Sequence, residues 1–200
     1  MRARWTARCA AGALSLLAST AAASGPENEV GLVAGWTRYS QFDDGLPGFG
    51  LTLSRRLRPW LAAEARFGLS PWDLGEPAFS ASRLEGFLGL RGGPRLGRHQ
   101  AFGALRAGLV RLAEAPAPVF CLAIYPPTLE CALAGGETLL GLELGAGFEA
   151  VFSERGVARL EAGSQLVRYP GPAMGEGRRV FLDALWSHNP RVGISAGLRF

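Results

Sequence analysis

The chain has 200 residues, a formal net charge of +4, 48% hydrophobic residues, 19% charged residues and 28 glycines. That length points to one domain, and so apolar a composition excludes a disordered chain. Every basic residue is arginine, and Arg2, Arg4 and Arg8 supply three of the four excess charges at an end expected to be removed, so the high isoelectric point is no argument for nucleic acid and none is expected as a partner.

The N-terminus reads as a secretory signal. Arg2, Arg4 and Arg8 form a positive start, Ala10 to Ala18 a short apolar run, and Ala21-Ala22-Ala23 a small-residue cleavage site. Residues 1–23 are therefore expected to be cleaved, leaving 24–200 as the folded domain. A membrane anchor is the competing reading, but the apolar run is too short for it. Cys9 precedes that run, so a lipoprotein is not expected.

From Glu29 onward, apolar residues recur at every second position, the period of a strand with two unlike faces. Two early strands, about Glu29–Tyr39 and Gly48–Leu57, show the pattern loosely. In Trp60–Ser70, Leu61, Ala63, Ala65, Phe67 and Leu69 alternate with Ala62, Glu64, Arg66 and Gly68. In Ser82–Arg91, Leu84, Leu88 and Leu90 alternate with Arg83, Glu85 and Phe87. Leu105 and Leu109 flank Arg106 in Ala101–Arg111. Leu139–Val151 sets Leu140, Leu142, Leu144 and Phe148 against Glu143 and Glu149. Val157–Arg168 sets Leu160 and Leu166 against Arg159, Glu161 and Gln165, and Arg191–Phe200 sets Val192, Ile194, Leu198 and Phe200 against Arg191 and Arg199. The sum is about eight strands of about ten residues, an even number and a length that suits a tilted strand crossing a bilayer.

The connections alternate in length. Ser40–Pro47, Pro71–Ala81, Leu112–Gly136 and Pro170–Pro190 are the longer set; Arg58-Pro59, Gly92–His99 and Ser153–Gly156 are the shorter. Membrane barrels show this asymmetry, with short turns on the periplasmic side and long loops outside, and it places both termini with the short turns. Trp36, Tyr39, Trp72, Tyr169 and Trp186 fall near the expected outer ends, and Trp60, Phe102, Phe152 and Phe200 near the inner ends, as two aromatic girdles would.

A strand in lipid must pair every backbone N–H and C=O, which a closed barrel achieves and an open sheet does not. The apolar face would then meet lipid. Glu64, Arg66, Arg83, Glu85, Arg106, Glu143, Glu149, Arg159 and Glu161 would line an interior just wide enough to be filled by side chains. Arginine forks match carboxylates, so the expectation is a plugged lumen held by a charge network. A soluble periplasmic lipocalin-like binding barrel would share the signal, the alternation and the strand count, with the apolar face turned inward. A narrow ion channel is a third possibility.

The terminal segment VGISAGLRF alternates apolar residues and ends on Phe200. It resembles the last strand of bacterial outer-membrane proteins, and from Glu29 to Phe200 the layout is similar to the small OmpA/OmpX-like transmembrane barrels. The resemblance implies an all-β, antiparallel up-and-down barrel in the outer membrane, surrounded by lipid and lipopolysaccharide. It also implies a C-terminal assembly signal at Phe200 read by the barrel-assembly machinery. The chain is expected to be a monomer that ends with the barrel, without the peptidoglycan-binding domain of larger relatives.

Some small outer-membrane barrels modify lipid A with a serine-hydrolase-like site. Ser187, His188 and Asp183 are the only candidates here. Neighbours on a strand point to opposite faces, and the family's His-x-Ser spacing is missing, so no catalytic residue is assigned and no enzyme is expected. Asp43-Asp44 resembles half a calcium site, but adjacent loop acids are ordinarily just solvated. His99 is read as solvated in an inner turn. No metal and no cofactor are expected. Cys121 and Cys131 remain in the exported chain, where an oxidising compartment favours a disulfide; free thiols or a metal site are the alternatives. The bond would shape an apolar loop tip in 112–136. That tip is either a contact site for a surface ligand or a lid over the barrel mouth.

Overall fold

The computed structural model describes residues 28–40, 44–70, 82–112, 137–170, 173–174, 180–181 and 183–200. The signal segment, Trp72, Asp43, Cys121 and Cys131 lie outside them. Eight long strands form the described structure: β1 (Asn28–Tyr39), β2 (Asp44–Arg58), β3 (Leu61–Ser70), β4 (Arg83–Gly92), β5 (His99–Leu112), β6 (Thr138–Val151), β7 (Gly156–Tyr169) and β8 (Leu185–Arg199). Each is antiparallel to its neighbour in sequence, and β8 returns to β1 in register from Glu29 opposite Arg199 to Thr37 opposite Arg191. The sheet is therefore a closed up-and-down barrel without a free edge. Backbone bonds between Asn28 and Phe200, 3.1 and 2.9 Å, tie the two ends of the ring together.

The faces fall as the alternation predicts. Leu32, Leu88, Leu160, Ile194 and Leu198 are each about 60% or more exposed, whereas Arg106, Glu143, Glu149 and Gln165 are at most 2% exposed. Apolar outside and charged inside is the reverse of a soluble barrel, and it removes the lipocalin-like alternative.

The short connections are built as the sequence suggests. Pro59 and Trp60 alone join β2 to β3. Pro59 holds φ near −65°, which suits an unprimed turn, and the register shifts between Arg56 and Arg58 beside it. Between β4 and β5, Arg95–Leu96 folds onto His99 and Gln100 around Gly97. Gly97 has φ of 65°, which a two-residue primed turn requires and glycine adopts without strain.

Two strands begin earlier than the sequence suggests, for one shared reason. β2 starts at Asp44 instead of Gly48 and β8 at Leu185 instead of Arg191, so each contains a proline. Pro47 pairs with Trp36 of β1, while the described ladder to β3 starts only at Phe49. Pro190 pairs with Ser164 of β7, while the ladder to β1 stops at Arg191. Each proline lies where its strand has a ladder on one side only, the place a missing N–H is tolerated. At β8 the uncovered stretch is tied instead by Ser40, whose N–H donates to Asn189 Oδ1 at 3.2 Å and whose hydroxyl donates to the His188 carbonyl.

Three aromatic residues depart from the expected girdles. Tyr39, Phe102 and Tyr169 are at most 4% exposed and point into the barrel. They share parity with Thr37, Gln100 and Gln165, and position along a strand says nothing of face when parity says otherwise. Trp36, Trp60, Phe152, Trp186 and Phe200 are exposed on the outside. His99 opens β5 instead of lying in a turn, and its ring stacks on Phe148 at 5.3 Å.

Candidate functional site

The lumen holds the densest chemistry among the described residues. It has two parts. One is a column of arginines and glutamates running from the short-turn end through the middle. The other is an apolar cluster at the long-loop ends of β5, β6 and β7.

Direct cross-strand neighbours start the column. Glu29 stands opposite Arg199, Arg106 opposite Glu143, and Glu149 opposite Arg159. These are pairs that inward parity and register create locally. At the short-turn end, Arg159 donates to Glu149 at 2.8 Å and pairs with Glu29, while Arg199 pairs with Glu29 at 3.3 Å and with Glu149. Arg91 of β4 reaches across to Glu149 at 2.6 Å and to Glu64 at 2.9 Å, and its guanidinium lies 5.2 Å from the centre of the Phe102 ring.

In the middle, Arg106 is the hub. Its guanidinium contacts Glu64 at 2.7 Å, Glu161 at 2.7 Å and Glu143 at 3.3 Å. Arg66 supports it from β3, at 2.8 Å from Glu161 and 3.4 Å from Glu143. Toward the long-loop end, Arg191 bridges Glu85 at 3.0 Å and Glu143, and Gln165 donates to the same two carboxylates at 3.1 and 3.3 Å. Arg83 closes the column, paired with Glu85, donating to Gln165 at 2.5 Å and lying 4.7 Å from the Tyr39 ring centre.

The structure thus gathers all nine residues the sequence placed inside. It adds Glu29, Arg91, Arg191 and Arg199, which share their parity, and Gln165 as an uncharged bridge. Arg91 is the clearest omission: it falls on the face of Arg83, Glu85 and Phe87, and counting to the end of its strand would have found it. A buried charge is tolerated only with opposite charge and further hydrogen bonds around it. Here each arginine touches two or more acceptors, so the inward charges offset one another.

The apolar part was not anticipated. Phe87, Val110, Leu112, Leu139, Val167 and Tyr169 form a buried cluster on the inward face. Room for Phe87 comes from Gly141, where a Cβ would lie 2.9 Å from the Phe87 ring carbon Cζ. Two inward voids among the described residues are small. One of about 10 Å³ lies beside Arg66, Glu143 and Arg191, and another of about 20 Å³ beside Thr37, Ser70 and Arg83. Each is about the room one water needs.

The structure does not assemble the serine-hydrolase candidates. Ser187 points inward, 6% exposed, and its hydroxyl donates to Asn189 Oδ1 at 3.2 Å. His188 is on the outer face, and Asp183 is exposed ahead of β8. Asp44 is described only by its pairing with Tyr39 at the start of β2.

No family model matches the sequence, and no curated protein matches it. Solved structures do match. Neisserial surface protein A (NspA) aligns with a TM-score of 0.54 at 11% identity, over 90% of this chain and 100% of that one. OprG from Pseudomonas aeruginosa aligns with a TM-score of 0.50 at 12% identity, over 88% and 97% of the two chains. The N-terminal β-barrel domain of Pseudomonas aeruginosa OprF aligns with a TM-score of 0.47 at 14% identity, over 88% and 99%. Identities this low speak for the fold alone. Together with the closed sheet, the apolar exterior and the charged interior, the likeness to NspA and OprG establishes that this chain has the fold of the bacterial outer-membrane β-barrels.

Proposed function

We propose that the protein is a non-conducting outer-membrane barrel with a structural or surface-contact role, exported by its N-terminal signal and oriented with both termini and the short turns in the periplasm. The observation that carries this reading is the filled lumen. A column of paired Arg and Glu under an apolar cluster, with two voids of about 10 and 20 Å³ among the described residues, supports closure to ions. Recognition then falls to the long loops. The segment 112–136 is the foremost candidate, with Cys121 and Cys131 joined to hold its apolar tip. Lipopolysaccharide surrounds the barrel in the outer leaflet, and the assembly machinery reads the strand that ends at Phe200. No step of this reading calls for a catalytic group.

Two measurements test it. The full chain in outer-membrane fractions is expected to be heat-modifiable on a denaturing gel. In planar bilayers it is expected to add no stepwise conductance over the bare membrane. Sustained single-channel steps from the folded protein would overturn closure, and recovery only in the soluble periplasm would overturn the membrane assignment.

A further inference from the structure

The short-turn rim carries charge that the lumen does not use. Arg58 ends β2, Arg95 and Arg98 lie between β4 and β5, and Arg155 lies between β6 and β7; all four are exposed. None of them forms an ion pair with another described residue. The only acidic side chain on these three turns is Glu154.

The rim is held as one ring by its backbone. Gly93 N–H donates to the Trp60 carbonyl at 2.9 Å, Val151 N–H to the Arg98 carbonyl at 3.1 Å, and Arg199 N–H to the Arg155 carbonyl at 2.8 Å. The arginines therefore stand at fixed places around the barrel mouth. Between them, Trp60 is 55% exposed, Leu96 65% and Phe152 65%. An acidic protein surface would meet the charges but not the interleaved rings and leucine. A headgroup layer meets both: aromatic rings settle where acyl chains end, and arginine side chains extend along them to reach phosphate.

We infer that this rim binds anionic phospholipid headgroups of the leaflet facing the short turns, with Arg58, Arg95, Arg98 and Arg155 as the phosphate ligands. The planar guanidinium offers two parallel N–H donors to phosphate oxygens, and net negative charge in the lipid compensates four otherwise unpaired cations. The inference rests on the membrane reading above and adds a lipid class to it.

The test uses the full chain refolded into phosphatidylcholine vesicles doped with spin-labelled phosphatidylglycerol or spin-labelled phosphatidylcholine, with the motionally restricted fraction read by electron paramagnetic resonance. The expected result is a several-fold preference for phosphatidylglycerol at low salt that falls toward parity at high salt. The combined variant Arg58→Gln, Arg95→Gln, Arg98→Gln, Arg155→Gln is expected to lose it, and a control changed at the other end, Arg111→Gln with Arg168→Gln, to keep it. Equal restriction of the two lipids by the wild type overturns the inference. So does a preference that ignores salt, or one that survives in the combined variant; where that variant does not fold, the pair Arg58→Gln with Arg155→Gln takes its place, and a preference it leaves unchanged overturns the inference. A wild-type chain that never becomes heat-modifiable in these vesicles overturns the membrane reading itself. A heat-modifiable chain without lipid preference overturns the lipid inference alone and leaves an acidic periplasmic partner for the rim.

Discussion

The two parts of the lumen hold the same barrel by opposite chemistry. Around Arg106, the contacts are between charges that must meet their partners in specific geometry, because a lone buried ion is costly. Around Phe87, Val110 and Leu139, they rest on shape and apolar contact, which tolerates small shifts. The charged column fixes how strands on opposite sides of the barrel face each other: Arg66 and Glu161 join β3 to β7, and Arg191 and Glu85 join β8 to β4. The apolar cluster joins β4 to its successors β5, β6 and β7 and leaves the rest of that mouth to polar groups such as Thr37, Ser187 and Asn189. The interior of the barrel therefore does not rest on one kind of contact, and the two kinds should fail differently.

The largest difference is expected at the hub. Arg106→Met should cost about 3–5 kcal/mol in urea unfolding of the refolded barrel, since it leaves the buried carboxylates of Glu64, Glu143 and Glu161 each short of one cation. Adding Glu64→Leu should recover part of that loss; a double variant as unstable as the sum of the singles would show that the two side chains do not act as a pair. Leu139→Ala should cost about 2–3 kcal/mol, in the lower part of the range for such truncations, because neighbours at the barrel mouth can close in. A loss equal to that of Arg106→Met would erase the proposed contrast. Gly141→Ala should cost least, about 1 kcal/mol, as the added methyl presses on Phe87. Phe87→Leu in the Gly141→Ala background should relieve that strain, and the thermal midpoint of the heat-modifiable band would report it.

Much of this arrangement was legible in the chain. Parity alone assigned Glu64, Arg66, Arg83, Glu85, Arg106, Glu143, Glu149, Arg159 and Glu161 to one face, and the structure puts every one of them on the inward side. Distance from a strand end is the poorer guide: it sets Tyr39, Phe102 and Tyr169 in the girdles, whereas their parity, that of Thr37, Gln100 and Gln165, turns them inward. The early starts of β2 and β8 escaped because Pro47 and Pro190 read as breakers, and only the missing ladder on one side of each makes them acceptable. The apolar cluster escaped for a related reason. Val110, Leu112, Leu139 and Val167 are apolar residues on the charged parity at strand ends, where a pattern of alternating polarity simply looks frayed.

What the sequence determined by itself is the two-faced strand, repeated until a ring was the only way to pair every backbone group in lipid. The alternation of short and long connections is likewise written in the chain, whereas which face turns outward is decided by the structure, where Leu32 and Leu160 are exposed and Arg106 is buried. The tertiary structure alone also decided which charge meets which. Glu29 with Arg199, Arg106 with Glu143 and Glu149 with Arg159 need only the register of two strands. Arg66 with Glu161 and Arg191 with Glu85 need the ring to close, because these contacts span the barrel and exist only when strands not paired to each other are brought face to face.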